Sequence, residues 1–582
     1  MSELTPSARP LVAPRQRWAL KAQHVLAEEA LVQGRPLADL IRLLLGQRGI
    51  VNETAVTDFL FPRLAALGDP FELPEMEAAV GRILKAVDSR EHVILYGDYD
   101  VDGVTSMAVL NLALKAYGLD PKLFLPHRME EGYGVSHDGI ARAFEAHGKP
   151  GLFLALDCGT TSLSEMAALR GAGVDVVIID HHELSPQGRP DCEALVNPKL
   201  GDDYHYFCTV GLVFKVVHAL LKRRALPDFD LKQMLDLVAL GTVADLVPIV
   251  NDNRILVRRG LELIAQTPRP GLQALKKVAG VDGLVQTQHL GFRIGPRLNA
   301  AGRLDTAATS LQVLLAETHE EAADGADLLD LHNRERQAVE QRVLKEAEQQ
   351  LLELEDIESL SAIVLGSRQW HPGVVGIVAS RISRMFHRPT ILIAVDEEGV
   401  GKGSGRSIPG VSLVEAIEPC RDLLRAGGGH AMAIGLSVLE ENIANFRERF
   451  GEVVAAAIAD QELSPTLEID AELRLKDMTV DFLNQFVLLE PFGMANPEPV
   501  FLCRGVMPRL PGRVMKERHL RVTLMQDGIH QDAIYFNAPL DNLPPPPWNV
   551  ALRLQRNFFR GNESWQFTIE GIRGVDETIA HL

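Results

Sequence analysis

HVILYGDYDVDG, residues 92–103, runs from an apolar stretch, His92–Tyr96, straight into three carboxylates, Asp98, Asp100 and Asp102. The apolar part reads as a buried strand. Acids at i, i+2 and i+4 of an extended segment point to one side. Like charges that close repel unless a cation holds them, so the spacing predicts a metal site at the end of a strand. An EF-hand loop also begins D-x-D-x-D-G, but its twelfth position must be a bidentate Glu. Here that position is Val109, and the preceding segment is a strand rather than a helix.

Outward from this stretch the pattern alternates. Helix-like Met76–Ala86 precedes it and helix-like Thr105–Tyr117 follows; strands are expected near Lys122–Pro126, at Gly151–Leu156 and at Val174–Ile179, with a helix at Ser162–Gly171. Unbroken apolar strands between amphipathic helices predict an α/β fold with a parallel sheet covered on both faces. Ligands gather at the carboxyl ends of such strands. Two more strand ends carry chemistry there, Asp157-Cys158-Gly159 and Asp180-His181-His182. Asp245 follows a helix expected to run from Leu231 and to end at Gly241. A strand-end Asp alone is usually a turn residue or cap; together these groups form a constellation. Carboxylates with imidazole suit two divalent cations, and manganese accepts the mixed N and O set better than magnesium does. Two such ions serve hydrolysis at phosphorus.

The whole chain limits the choice of function. Its 582 residues are too many for one core. A hydrophobic fraction of 46% is ordinary for a globular protein. No apolar run is long enough for a membrane span, and the N-terminus lacks an apolar signal core. Five scattered cysteines without C-x-x-C pairs point to a reducing, cytoplasmic setting and away from structural zinc. A net charge of −19 weighs against a protein that grips nucleic acid with its whole surface. A polyanionic substrate must meet local basic groups.

Residues 1–75 read as a helical packing segment, 76–305 as the metal-binding α/β domain, and 306–357 as one long connecting helix rich in Glu, Gln, Leu, Ala and Arg. A second, smaller α/β unit spans 358–456, with strand-like SAIVLG from Ser361, helix-like Gly373–Phe386 and strand-like Pro389–Val395. It holds two glycine-rich stretches read as turns, Gly401–Gly405 and Gly427–Gly429, with Ser404, Arg406 and His430. Such turns let backbone N–H groups approach phosphate, and Arg adds a bidentate clamp. A P-loop is excluded, because Lys402 precedes Gly403 and position 396 is Asp396; no ATP is implied. Residues 463–582 break into short strand-like runs and predict a small β-barrel. Arg513, Lys516, Arg518 and Arg521 lie on one stretch of it, and Arg553, Arg556, Phe558, Phe559, Arg560 and Trp565 on another. Basic groups mixed with aromatics suit single strands, although aromatics in a small barrel are commonly core.

The motifs LYGDYDVDG (95–103), Asp157-Cys-Gly, Asp180-His-His, GTVADLVP (241–248), GPRLNAAGR (295–303), WHPGVVGIVASR (370–381), GSGRS (403–407), GGGH (427–430) and EPFGMANPEP (490–499) resemble those of the DHH phosphoesterase superfamily. Within it the chain is most similar to the RecJ family of bacterial single-strand-specific exonucleases. The resemblance covers most of the chain. It implies a parallel-sheet DHH lobe, a long helix, a smaller DHH-associated lobe and a C-terminal OB-fold barrel. It implies Asp98, Asp100, Asp102, Asp157, His181 and Asp245 as manganese ligands, with magnesium as the other candidate. His182, Asp102 and Asp157 would be catalytic, His182 facing the scissile phosphate. Arg128 would meet the 5′-terminal phosphate, and Arg297, Asn299, Arg303, Ser404, Arg406 and His430 would meet substrate. The activity implied is 5′ to 3′ hydrolysis of single-stranded DNA to 5′-mononucleotides in repair and recombination. A single-strand binding protein and a RecQ-type helicase are the implied partners of a cytoplasmic monomer.

Two rival functions remain from sequence. One is a DHH hydrolase of short oligonucleotides, cyclic dinucleotides or pyrophosphate, which lacks the barrel; on the exonuclease reading, deleting 463–582 is expected to cost long-strand binding more than dinucleotide cleavage. The other is a scaffold that has lost its metals, against which every expected acid and imidazole is present. Asp102→Ala is expected to abolish hydrolysis and leave the chain folded.

Overall fold

The computed structural model describes residues 16–23, 26–28, 31–32, 34–126, 134–304, 307–354, 359–459, 464–516, 518–559 and 562–581. The chain forms two compact units, one of 20–330 with 468–582, the other of 331–467 with 1–19.

In the first unit, helix α1 (Met76–Ser89) leads to β1 (Val93–Gly97), whose five residues are all buried. Then follow α2 (Val101–Ala116), β2 (Lys122–Phe124), α3 (His137–His147), β3 (Leu152–Leu156), α4 (Leu163–Gly171), β4 (Asp175–Ile179) and β5 (Ala194–Val196). The sheet is parallel throughout in the order β2-β1-β3-β4-β5. The order reverses between β1 and β3, which opens a crevice at their carboxyl ends. Helices α5 (Thr209–Arg223), α6 (Leu235–Ala244) and α7 (Asn251–Ala265) pack with α1 and α2 in one core with one face of the sheet. Helix α6 runs three residues past Gly241, because Gly241 is a packing residue: a Cβ there would lie 2.4 Å from Thr105 Oγ1. Helix α8 (Gly295–Leu304) lies against the acidic loop, where a Cβ on Gly302 would come within 3.1 Å of the Tyr99 carbonyl oxygen.

The expected helix over 306–356 is two. A short one spans Ala308–Leu315, and α9 covers His319–Leu352, 34 residues. The boundary between the two units falls within α9, after Asp330.

The second unit is a five-stranded mixed sheet. It contains β6 (Ile363–Ser367), α10 (Pro372–Phe386), β7 (Thr390–Val395), β8 (Val400–Arg406), β9 (Leu424–His430) and β10 (Ala433–Leu439), in sheet order β9-β10-β8-β7-β6. The glycine-rich stretches are strands, not turns. Gly401, Gly403 and Gly405 alternate along β8, and a Cβ on each would meet Ile393, Leu436 or Ile434 within 2.7 Å. Glycine is there to let apolar side chains of the neighbouring strands close over it.

The C-terminal part of the first unit is a closed barrel. Strands β11 (Ala471–Glu472), β12 (Phe501–Met515), β13 (His519–Gln526), β14 (Ile529–Tyr535), β15 (Trp548–Phe559) and β16 (Asn562–Gly574) run in the order β11-β12-β13-β14-β16-β15, and β12 also pairs with β15. The first segment of the chain is less helical than expected. Short strands occupy Arg17–Leu20, Leu31–Val32 and Arg35–Pro36, and the helices are Asp39–Gly46 and Glu53–Leu60. Ile41, Leu44, Val56 and Leu60 share a core with Phe482, Phe486 and Phe501.

Arg254 on α7, 3% exposed, ties these parts together. Its guanidinium donates to the carbonyls of Phe59 (2.9 Å), Leu488 (3.0 Å), Leu489 (3.2 Å) and Glu490 (2.9 Å) and lies over the Phe59 ring. Arg254→Ala strands those acceptors and is expected to cost about 3 kcal/mol. Arg254→Lys recovers less than half, because an ammonium lacks the planar fork. Urea unfolding at constant m checks this; a loss below about 1 kcal/mol contradicts the keystone role.

Candidate metal centre

Asp98 follows β1, Asp157 follows β3 and Asp180 follows β4, so three neighbouring strands deliver a carboxylate to the crevice. The acids of residues 98–102 are not on one extended face. The chain kinks after Asp98, Asp100 caps α2 by accepting from Gly103 N (3.1 Å), and Asp102 lies in the first helical turn. Gly103 makes this possible, since a Cβ there would sit 2.4 Å from the Asp98 carbonyl oxygen. The side chains still converge. Ligand atoms of Asp98, Asp100 and Asp157 lie within 4.8 Å of one another, as do those of Asp102, Cys208 and Asp245 and those of Asp157, His181 and His182.

Asp102 is 1% exposed and accepts from Thr209 N (2.6 Å) and Val210 N (2.8 Å), the free N–H groups that open α5. Asp157, with φ of +63°, accepts from Thr209 Oγ1 (2.9 Å). Aspartate is one of the few residues that visit that backbone region readily. His181 Nε2 stands 3.6 Å from Asp157 Oδ1, 3.5 Å from Asp245 Oδ2 and 4.0 Å from Asp102 Oδ2. His181 Nε2 and Asp245 Oδ2 are buried without a hydrogen-bond partner among the described residues.

Burial, reinforced by Asp100, pushes Asp102 up to about 7 against the two N–H bonds. Burial with Asp102 and Asp100 pushes Asp245 up to about 9, and burial with the same acids raises Asp157 well above its ordinary value. The two histidines separate. Burial, then repulsion from His182, holds His181 down at about 4, leaving it a neutral imidazole. Burial works against His182 too, but the hydrogen bond from its Nδ1 to Asp180 (2.7 Å) and the charge of Asp180 carry it to about 9. Burial likewise opposes ionisation of Asp180, yet bonds from His182 and Thr160 N keep its carboxyl below the usual range. The donor set therefore fits divalent cations: several carboxylates, one neutral imidazole, and the buried His181 Nε2 and Asp245 Oδ2 3.5 Å apart.

The other expected residues divide. Asn299 Oδ1 accepts from Val101 N (3.1 Å) and so braces the acidic loop. Arg297 is spent on Asp330 (2.9 Å) and on the carbonyls of Arg293 and Val278, so it does not join the acids. Arg128 and the side chain of Arg303 lie outside the described residues, as do the side chains of Phe558 and Phe559 and all of Arg560. Trp565, half-buried, packs edge-on against Phe486 at the margin of the barrel core. Arg521 and Arg556 are paired with Asp532 and Glu490. In the second unit, Lys402, Ser404 and Arg406 share one face of β8. Ser404 is cross-strand from Gly435, which faces Gly428, and Arg406 is cross-strand from Ala433, which faces His430. Arg406 donates to Ser404 Oγ (3.1 Å). Thr209, Thr160 and Asn197, whose amide donates to the His182 carbonyl (2.9 Å), support the site and carry no sequence signal of it. Thr209 opens a helix that carries no chemical motif, so nothing in the sequence marks it.

Three family models match the chain: the DHH family N-terminal domain over residues 92–242, the DHHA1 domain over 359–456 and the RecJ OB domain over 469–571. The single-stranded-DNA-specific exonuclease RecJ of Dickeya dadantii is 37% identical over 564 residues, 92% of this chain and 96% of that protein. RecJ of Bacillus subtilis is 35% identical over 533 residues; 90% of this chain matches 66% of that protein's length. The crystal structure of RecJ from Thermus thermophilus in complex with Mn2+ superposes with a TM-score of 0.80 at 30% identity, covering 97% of this chain and 80% of that one.

Because the acids repel one another, Asp245→Asn is expected to raise the melting temperature in chelator. Saturating Mn2+ should stabilise the parent chain, by about 2.7 kcal/mol at a hundredfold excess over Kd, and the variant by much less. Thermal unfolding with and without Mn2+ checks both signs, and an unchanged Mn2+ response in Asp245→Asn contradicts the assignment.

Proposed function

The chain belongs to the RecJ family of single-stranded-DNA-specific exonucleases, and from that premise we propose that it is a divalent-cation-dependent exonuclease that hydrolyses single-stranded DNA. The observation that supports this most is the convergence of Asp98, Asp100, Asp102, Asp157, His181 and Asp245 beside His182 at one edge of the parallel sheet. These six residues are the proposed holders of two cations, Mn2+ or Mg2+. Cations bound there supply an activated water and neutralise charge during in-line displacement at phosphorus.

The chain's own groups do the rest. His182 donates from Nδ1 to Asp180, which holds it as an imidazolium, and its proposed role is to face the scissile phosphate. A fixed positive donor there stabilises the charge that develops on the phosphate oxygens. Thr209 and the first N–H groups of α5 hold Asp102 and Asp157 in place. Asn299 fixes the start of α2. The face of β8 with Ser404 and Arg406, and His430 across from it, is the proposed backbone-binding surface; Gly428 and Gly435 there have open space above them, so a phosphodiester chain can approach closely. Arg128 is the proposed contact to the 5′-terminal phosphate, and Arg303 a further proposed contact to substrate. Degradation runs 5′ to 3′ and releases 5′-mononucleotides, in repair and recombination in the cytoplasm. A single-strand binding protein and a RecQ-type helicase are the proposed partners of a monomer. The proposed domains are 1–75, 76–305, 306–357, 358–456 and 463–582.

The test is a Mn2+-dependent digest of 5′-labelled and 3′-labelled single strands beside a duplex control. Labelled mononucleotide should leave the 5′-labelled strand from the first turnovers, the duplex should persist, and chelator should stop the reaction. Early release from the 3′ label overturns the polarity, and undiminished activity in chelator overturns the metal centre. Asp102→Ala is a poor probe, because it also strands the N–H groups of Thr209 and Val210; Asp245→Asn is the cleaner one. Arg406→Ala should weaken strand binding and lower the salt slope by about one ion, measured by fluorescence anisotropy at several salt concentrations. An unchanged slope removes Arg406 from the phosphate-binding set.

A further inference from the structure

The loop that leaves Asp245 is anchored on the EPFGMANPEP segment. Asp245 caps α6, and Leu246 then takes a φ of +60° and turns the chain away. Ile249, 2% exposed, donates its N–H to the Met494 carbonyl (2.8 Å). Beside that bond a Cβ on Gly493 would stand 2.4 Å from Ile249 Cδ1. Glycine is thus the residue that lets the two turns close on each other.

Both sides of the contact are stiff. Gly493 and Asn496 exchange backbone bonds of 2.9 and 3.1 Å. The Asn496 side chain donates to the carbonyls of Leu489 (3.0 Å) and Pro491 (2.8 Å) and accepts from Arg48 Nε (2.8 Å). On the other side Asn253 donates to the Pro248 carbonyl (3.0 Å) and to the carbonyl of Tyr206. Tyr206 lies three residues before Thr209, whose N–H holds Asp102. One polar framework therefore fixes the approach of both Asp245 and Asp102. Loosening such supports around a metal ligand costs affinity even when every ligand remains.

We propose that Gly493 and Met494 are positioning residues for the metal centre: by seating Ile249 they set the Asp245 carboxylate against His181, so that cation affinity depends on a turn of the C-terminal domain. This rests on the reading of Asp245 as a cation-holding group. It also means that the barrel is not a detachable accessory. Removing residues 463–582 takes away the seat of Ile249, so a deletion cannot separate strand binding from chemistry.

The test uses the full chain with Gly493→Ala, Ile249→Val and the pair combined. Ile249→Val removes the one methyl that the new Cβ meets. Bound Mn2+ is followed by the electron paramagnetic resonance of the free ion, and hydrolysis of a single strand is titrated with Mn2+. Gly493→Ala should raise the Mn2+ dissociation constant about tenfold, leave kcat at saturating Mn2+ near its parent value, and leave strand affinity in chelator unchanged. Ile249→Val should be silent, and the double variant should bind Mn2+ as the parent does. A Gly493→Ala protein that folds and binds Mn2+ normally overturns the proposal, as does a loss that Ile249→Val fails to rescue. Should Gly493→Ala not fold, Ile249→Ala empties the contact from the other side and must weaken Mn2+ binding for the proposal to stand. Asp245→Asn separates the two ideas. If it leaves Mn2+ affinity intact, the reading of the metal centre fails; if it weakens Mn2+ while both Gly493→Ala and Ile249→Ala do not, only the positioning role fails.

Discussion

Carboxylates brought together out of water repel strongly, and most of the first unit is arranged around that fact. Asp98, Asp102 and Asp157 are each at most 2% exposed. Two unit charges 4 Å apart interact by about 4 kcal/mol at an effective dielectric of 20. The fold offsets part of this with helix N-termini. Asp100 caps α2, and Asp102 takes two N–H groups at the start of α5. The offset is incomplete, and Asp102, Asp157 and Asp245 keep their protons to unusually high pH. The remaining deficit of positive charge is what divalent cations supply.

The adjacent histidines show how one strand end yields two chemical roles. Both are partly buried, yet one is held neutral and the other charged. The difference is Asp180, which takes the ring and both backbone N–H groups of its neighbours and gives its charge to His182. His181, with its ring nitrogen turned to Asp157 and Asp245, is left as a neutral donor of a lone pair. Asp180 orients both histidines through bonds from His181 N, His182 N and His182 Nδ1.

The N-terminal segment, the catalytic sheet and the barrel behave as one piece. Phe486 touches Phe492, Phe501 and Trp565, while Ile41 and Leu60 enter the same core. Arg254 and Ile249 join that core to the loop beside the metal centre. Aromatic and basic residues of the barrel that look suited to bases in sequence are partly spent inside this assembly. Trp565 packs half-buried against the core, and Arg556 neutralises Glu490.

Local pattern determined a good deal. An apolar run followed by acids fixed β1 and the position of the site, since strand periodicity and charge repulsion act over a few residues. The parallel sheet, the two α/β parts and the barrel were legible for the same reason. What local pattern misjudged were positions where distant segments press on the chain. Asp100 and Asp102 read as an extended row, but capping and the close approach at Gly103 wind them into a helix. The β8 glycines read as turns, but the side chains that fill their space come from β7 and β10. The long strand β12 has no readable strand pattern, because Gly505, Pro508, Pro511 and Gly512 break it; pairing with β15 at Phe501–Val506 and with β13 from Met507 to Met515 holds it extended. Thr209 and Asn253 have no signature at all, and Gly493, though it lies in the EPFGMANPEP motif, carries no group that ties it to the site, because the value of all three lies in what they touch. The sequence alone therefore determined which carboxylates and imidazoles follow the strands at one rim of the sheet. Only the tertiary structure decided how those atoms are aimed, because aim is set by hydrogen bonds and contacts between residues far apart in the chain.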